Sequence, residues 1–202
     1  MRILVILLVL ICLIYILTKY NFNESITVVS QKDNNAYLIR RGKSKSEKYL
    51  SNSADTLAEI NIQIEKLIEH LLKKIPEGSE NRHYVKHLRK NYNHTVLSEA
   101  AIDQRYTTYT IDKKSMHVCL RTRDNNEQLY DINVLMYVIL HELAHLCNYD
   151  IHGNAIQGHG DSFKKIFKLL VQESINIGVY KYIDYTSKPQ EYCGMYISSS
   201  IV

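Results

Sequence analysis

The chain has 202 residues, 46% hydrophobic and 23% charged, an ordinary globular composition with room for one domain and an appendage. Lys and Arg number 25 against 21 Asp and Glu, and the resulting net charge of +4 is too mild to argue for nucleic-acid binding. The four cysteines, Cys12, Cys119, Cys147 and Cys193, include no CxxC pair and read neither as a disulfide framework nor as a four-thiolate zinc site.

The N-terminus is the sharpest compositional break. From Ile3 to Leu17 the run ILVILLVLICLIYIL holds fifteen residues without a charge, between Arg2 and Lys19. A full membrane span takes about 20 residues, and Thr18, Tyr20 and a snorkelling Lys19 extend the run toward that length. A cleaved signal peptide would end in small residues, whereas TKYNFNES follows here. Residues 1–20 are therefore expected to form an N-terminal transmembrane helix, a single-pass anchor whose flanking charges do not fix the side of the membrane. Residues 21–50 read as a polar, basic tether, with Arg40, Arg41, Lys43, Lys45 and Lys48 against Glu47. A solvated linker explains that cluster; attraction to anionic lipid heads is the alternative. Residues 51–202 are left as the folded domain.

Within it, Leu57, Ile60, Ile64, Leu67, Ile68, Leu71 and Ile75 recur at three- and four-residue steps, which predicts a helix from Asp55 that Pro76-Glu77-Gly78 stops. A second, basic helix is expected over Glu80–Asn91 with Ser79 as N-cap. Its His83 and His87 lie four apart without a carboxylate or thiol beside them, and read as a solvated face. The period then changes to two. YTTYTI (Tyr106–Ile111) and MHVCLRT (Met116–Thr122), separated by DKKS, predict a β-hairpin. His117 shares the face of Cys119 and Arg121 and reads as a surface residue. Helices follow over Asp131–Cys147 and Ser162–Ile177, the second capped by Asp161 or Ser162 and ended by Gly178. The tyrosine-rich tail from Val179 shows little periodicity.

The Asp131–Cys147 helix carries the chemistry. Ile132, Leu135, Met136, Ile139, Leu143 and Leu146 fall on one face, while Val134, Tyr137 and Val138 make the other face apolar too, so the helix should be buried. His141 and His145 lie on that second face about 40° apart, with Glu142 to one side. Unpaired ionisable groups are costly there, and a metal removes the cost. Two neutral imidazoles one turn apart can address one Zn²⁺ about 2 Å away. In such an H-E-x-x-H pattern the glutamate faces the metal's water and acts as general base toward a peptide carbonyl.

A catalytic zinc needs a third protein ligand. The metzincin spacing falls on Ile151, which excludes that arrangement. Glu173 lies about 80° off the apolar stripe of its helix and reads as solvated, and Asp150 is too close in sequence to return to the metal. His159 is preferred to His152: it sits in GHGDSF, where Gly158 and Gly160 let the backbone turn and Phe163 anchors the turn in the core.

HELAH, then a loop, then HGDSF opening an amphipathic helix resembles the WLM and SprT-like zinc metallopeptidases over roughly residues 93–177. The resemblance implies His141, His145 and His159 as zinc ligands and Glu142 as the catalytic glutamate. It also implies an α+β, minimal zincin-like core, helices packed on a small antiparallel sheet, whose MHVCLR edge strand aligns an extended protein or peptide substrate by β-augmentation. Peptidases of this kind cleave proteins crosslinked to DNA. This sequence departs from them in its hydrophobic start and in lacking a zinc finger or strongly basic tail. The expectation is thus a membrane-anchored zinc metallopeptidase; the alternatives are a protease for DNA-crosslinked proteins and a non-catalytic, zinc-stabilised membrane adaptor. Tyr185 and Tyr192 are the options for stabilising an oxyanion, against the plainer reading that they pack the rim of the domain.

Overall fold

The computed structural model of the chain describes residues 10–12, 25–42, 46–101 and 107–202. Its architecture is α+β. Strand β1 (Ser25–Val29) turns back through Asn34, which has a φ of 58°, into β2 (Ala36–Arg40). Helices α1 (Glu47–Lys74) and α2 (Arg82–Asn91) then carry the chain across to β3 (Leu97–Glu99), which pairs parallel with β2. A parallel connection needs such a crossover, so the two helices do for the sheet what a tight turn cannot. The hairpin β4 (Tyr109–Ile111) and β5 (Ser115–Val118) completes a five-stranded sheet in the order β1-β2-β3-β5-β4. Helices α3 (Ile132–Cys147) and α4 (Asp161–Asn176) follow, and a small hairpin, β6 (Gln190–Tyr192) and β7 (Met195–Ile197), closes the fold.

The helices form where apolar periodicity and caps coincide. In α1, Leu57, Ile60, Ile64, Leu67, Ile68 and Leu71 are all fully buried, as a stripe at three- and four-residue spacing requires. The helix begins eight residues before Asp55 because Ser46 accepts the Tyr49 amide at 3.1 Å and caps it there. Pro76 follows its end. In α3, Asp131 accepts the Asn133 amide at 2.8 Å. That helix is buried nearly all round, packed between α2 and α4. The N-cap of α4 is Gly160, not Asp161 or Ser162. Gly178, with a φ of 71°, sits just past its end, where the left-handed turn suits glycine.

Several expectations are corrected. The sheet is mixed, because β2 and β5 both flank β3 in parallel, and a parallel neighbour far along the chain leaves no local signal. Among the described residues the edges are β1 and β4, and the MHVCLR strand β5 is interior. The expected linker over 21–50 holds β1 and β2: only alternate residues of β2 face inward, and its charged end is buried. There Arg40 Nη2 meets Glu127 Oε1 at 3.2 Å, and Arg121 reaches Ser53 Oγ and the Tyr49 carbonyl at 2.8–2.9 Å. Glu99 lies between the two guanidiniums; burial pushes its carboxyl up to about 7 against their attraction.

The N-terminal transmembrane helix is also corrected, and the membrane localisation drawn from it is withdrawn. No helix among the described residues is long and apolar enough to cross a membrane. Of the apolar run, Leu10–Cys12 is helical, and residues 1–9 and 13–24 lie outside the described residues. The physical reason is length, since fifteen apolar residues fall short of the roughly 20 that a span takes. Finally, Cys119 and Cys193, 74 residues apart, form a disulfide that the cysteine spacing did not announce.

Candidate active site

Helix α3 brings His141 and His145 one turn apart, ring centroids separated by 5.1 Å. The chain then leaves the helix and returns through a braced loop. Ile156 N donates to the Asn148 carbonyl at 2.9 Å, and the Asp150 carboxylate accepts the amides of His152 and Asn154. His152 is thereby held at the exposed tip of the loop, outside the histidine group, with Asp150 committed to the loop's backbone and to the Asn154 side chain. Gly158, with a φ of 77°, turns the backbone in the region that favours glycine, and the next residue is His159. Its Nε2 lies 3.0 Å from His141 Nε2 and 3.1 Å from His145 Nε2. Phe163 packs against all three imidazoles at 4.4–4.8 Å between ring centroids.

This cluster suits a cation. Burial, then the neighbouring imidazoles, pushes His141 and His145 down to about 4, so both are neutral at physiological pH and present lone pairs. Three ring nitrogens converge; their ligand atoms all lie within 4.8 Å of one another. The edge of a tetrahedron built on metal–nitrogen bonds of ~2.0–2.1 Å is about 3.3 Å, close to the 3.0 and 3.1 Å that separate His159 from the other two imidazoles. His141, His145 and His159 can therefore hold one metal ion.

Glu142, 6% exposed, points beside them. Its Oε2 accepts the Thr110 hydroxyl at 2.7 Å, so edge strand β4 fixes the carboxylate. Burial pushes Glu142 up to about 7, with the Thr110 hydrogen bond opposing. Two clefts open here. One of about 600 Å³ is polar and runs along β4 past Glu142 and the three histidines. The other, about 310 Å³, is mostly apolar and lies toward Tyr137, Phe167 and the C-terminal hairpin.

The other residues singled out in the sequence fall elsewhere. Tyr192 lines the apolar cleft, its hydroxyl hydrogen-bonded to the Thr108 hydroxyl and donating to the Cys119 carbonyl at 2.9 Å. Tyr185 is fully buried against Tyr137 and borders neither cleft. Glu173 is buried, not solvated, bound by His70 Nε2 at 2.7 Å and Lys74 Nζ at 2.8 Å from α1. His117 is half-buried rather than exposed, its Nδ1 2.8 Å from Ser98 Oγ. His87 stacks on Tyr149 at 4.2 Å.

A protein of Acanthamoeba polyphaga mimivirus described as uncharacterized is 35% identical over 197 residues, covering 97% of this chain and 94% of the viral protein. The chain belongs to that protein's family. Uncharacterized proteins of invertebrate iridescent viruses 3 and 6 are 38% and 29% identical over 86 and 89 residues, 42% and 44% of this chain and 49% and 47% of their own length. No family model matches the chain. The crystal structure of Wss1 from Saccharomyces cerevisiae is similar with a TM-score of 0.45 at 18% identity, over 69% of this chain and 87% of Wss1.

Two site residues in this family member gave no motif in the sequence. Thr110 is one. The other is Lys113, at the β4–β5 turn with a φ of 55° and only 7% exposed. Its ammonium donates to the His145 carbonyl, to the Asn148 carbonyl at 3.1 Å and to the Ile156 carbonyl at 3.2 Å. All three of its donors are thus used, and its charge sits at the negative end of the α3 dipole. Desolvation lowers the lysine's pKa. A buried lysine in a left-handed turn was the one available signal, and burial cannot be read from DKKS.

Proposed function

We propose that the chain is a zinc-dependent peptidase. The observation that carries this reading is the convergence of three imidazole nitrogens beside a buried carboxylate, in an open cleft along a sheet edge. His141, His145 and His159 hold the ion through Nε2, with Phe163 packing their rings. Zinc, when bound, supplies Lewis acidity that makes water nucleophilic near neutral pH. Glu142 takes the proton from the attacking water and delivers it to the leaving amine, and the Thr110 hydroxyl holds the carboxylate in line for both transfers. An extended substrate pairs along β4, an edge of the sheet among the described residues, where main-chain hydrogen bonds give affinity without selecting a sequence. Protein or peptide is the substrate class that such an edge accommodates.

The test is Glu142→Gln, which keeps the size of the side chain and removes the base. Peptide hydrolysis should fall by at least ~10²–10⁴-fold while zinc content is unchanged. Turnover that survives in the zinc-loaded variant would sink the assignment.

A further inference from the structure

We propose that the C-terminal hairpin β6–β7, clipped in place by the Cys119–Cys193 disulfide, walls a specificity pocket for a large uncharged side chain next to the scissile bond. The inference rests on the peptidase reading above for the identity of its ligand, and on separate residues for its geometry.

The pocket is the 310 Å³ cleft. Its inner end is His141 and Glu142, so whatever fills it sits within a residue of the reacting centre. Tyr137 and Val138, one turn earlier on α3, and Phe167 of α4 supply an apolar floor; Met195 and Ile197 of β7 supply the wall. Thr108 and Ser199 are among the polar groups of its lining, and among the described residues no charged side chain lines it apart from His141 and Glu142. A Lys or Asp side chain would lose its hydration there without gaining a partner, whereas Phe, Leu or Met would exchange water for aromatic and aliphatic contacts.

A two-stranded hairpin is marginal by itself, so the wall needs anchoring. Attachments along β6, at the turn and in the segment after β7 supply it, the Tyr192 hydroxyl on the Cys119 carbonyl among them. The Cys193 sulfur is bonded to Cys119, immediately after β5. The Cys193 amide donates to the Tyr130 hydroxyl at 2.6 Å, and the Tyr137 hydroxyl donates to the Ser199 carbonyl at 3.1 Å. The turn between Tyr192 and Met195 is Cys193-Gly194, with φ of 53° and 84°. Both residues of such a turn are left-handed, a position that favours Asn or Gly; a cysteine there is costly unless its side chain is committed, and here it is. Beyond these anchors Met195 and Tyr196 stand 49% and 67% exposed at the mouth of the cleft.

The experiment uses the full zinc-loaded chain and a series of blocked octapeptides that differ only at the residues flanking the cleaved bond. Wild type should cleave the peptides bearing Phe, Leu or Met at one flanking position ~10–100-fold faster, by kcat/KM, than those bearing Ala, Lys or Asp. Ile197→Trp, which fills the pocket from its wall, should lower the Phe-to-Ala ratio at least ~10-fold with zinc content retained. The Cys119→Ser/Cys193→Ser double variant should lower the ratio as well. Affinities of Glu142→Gln protein for the Phe and Ala peptides, by calorimetry, give a second readout that needs no turnover. Cleavage without a preference, or a ratio that Ile197→Trp leaves unchanged, overturns the pocket and spares the peptidase. No cleavage, but ~10-fold tighter binding of the Phe peptide, supports the pocket and overturns the peptidase. Neither cleavage nor a binding difference overturns both.

Discussion

Replacing Lys113 by Met keeps an unbranched chain of similar reach and removes the ammonium. Three carbonyls, the buried one of Asn148 and the part-buried ones of His145 and Ile156, then lose their donor together. Hydrogen bonds to a charged group contribute about 1.5–3 kcal/mol each, and the several kcal/mol already spent on desolvating the ammonium offset much of the total. The expected net loss is about 2–4 kcal/mol, which for a chain of this length lowers Tm by roughly 5–15 °C. More informative is where the loss falls. Lys113 joins the β4–β5 turn to the end of α3 and to the loop that leads to His159, so the variant should bind zinc or cobalt ~10–100-fold more weakly, the usual effect of removing a group that orients ligands. Metal affinity is read by competition with a chromogenic chelator, at a temperature where far-UV dichroism shows the variant folded. Ile64→Ala, a cavity in the fully buried face of α1, supplies a comparably destabilised control that should keep its metal affinity. A Lys113→Met protein with reduced Tm and unchanged metal affinity would refute the reasoning and leave the lysine a structural cap alone.

Other outcomes follow from the same geometry. In the metal-free protein the Glu142 acid is raised from its ordinary 4.5 to about 7. Between those values the folded chain holds a proton that the unfolded chain has lost, so stability falls as pH rises through the window. Metal-free Glu142→Gln should therefore exceed wild type by about 1–3 kcal/mol in urea melts at pH 8 and match it at pH 4; an equal difference at both pH values would show that burial is not the cause. His141 and His145 act with opposite sign, since their depressed values cost stability as pH falls from 6.5 to about 4. Removing the disulfide, which spans 74 residues, should cost about 2–5 kcal/mol. That loss should appear under reducing as well as oxidising conditions only in the serine double variant, and a wild-type midpoint insensitive to dithiothreitol would count against it.

How much of this was legible in the sequence depends on the range of the interactions involved. The helices were, because Leu57–Leu71 and Leu135–Leu146 announce their buried faces at helical spacing and Asp131 marks a start. The histidine set was legible for the same reason: His141 and His145 are fixed by one helix, and Gly158 with Phe163 on either side of His159 signals a turn pinned to the core. Long-range pairing was not. Nothing in SITVV or AYLIR says that β2 will find β3 some sixty residues later, so a strand pair rich in Arg and Lys neighbours read as a tether. Arg40 and Arg121 look like solvent charges until Glu99, Glu127 and Tyr49 are brought around them. The apolar N-terminal run has the composition of a membrane span but, at fifteen residues, not the length of about 20 that one takes. Cys119 and Cys193 lacked any spacing rule, since a disulfide depends on proximity that only the fold creates.

The central claim is a single zinc held by His141, His145 and His159. It is tested most directly by the metal content of the purified chain, wild type against His159→Ala and His152→Ala, measured by plasma emission after removal of adventitious metal. About one zinc per chain is expected in wild type and in His152→Ala, and a large loss in His159→Ala. Full occupancy in His159→Ala with loss in His152→Ala would contradict it.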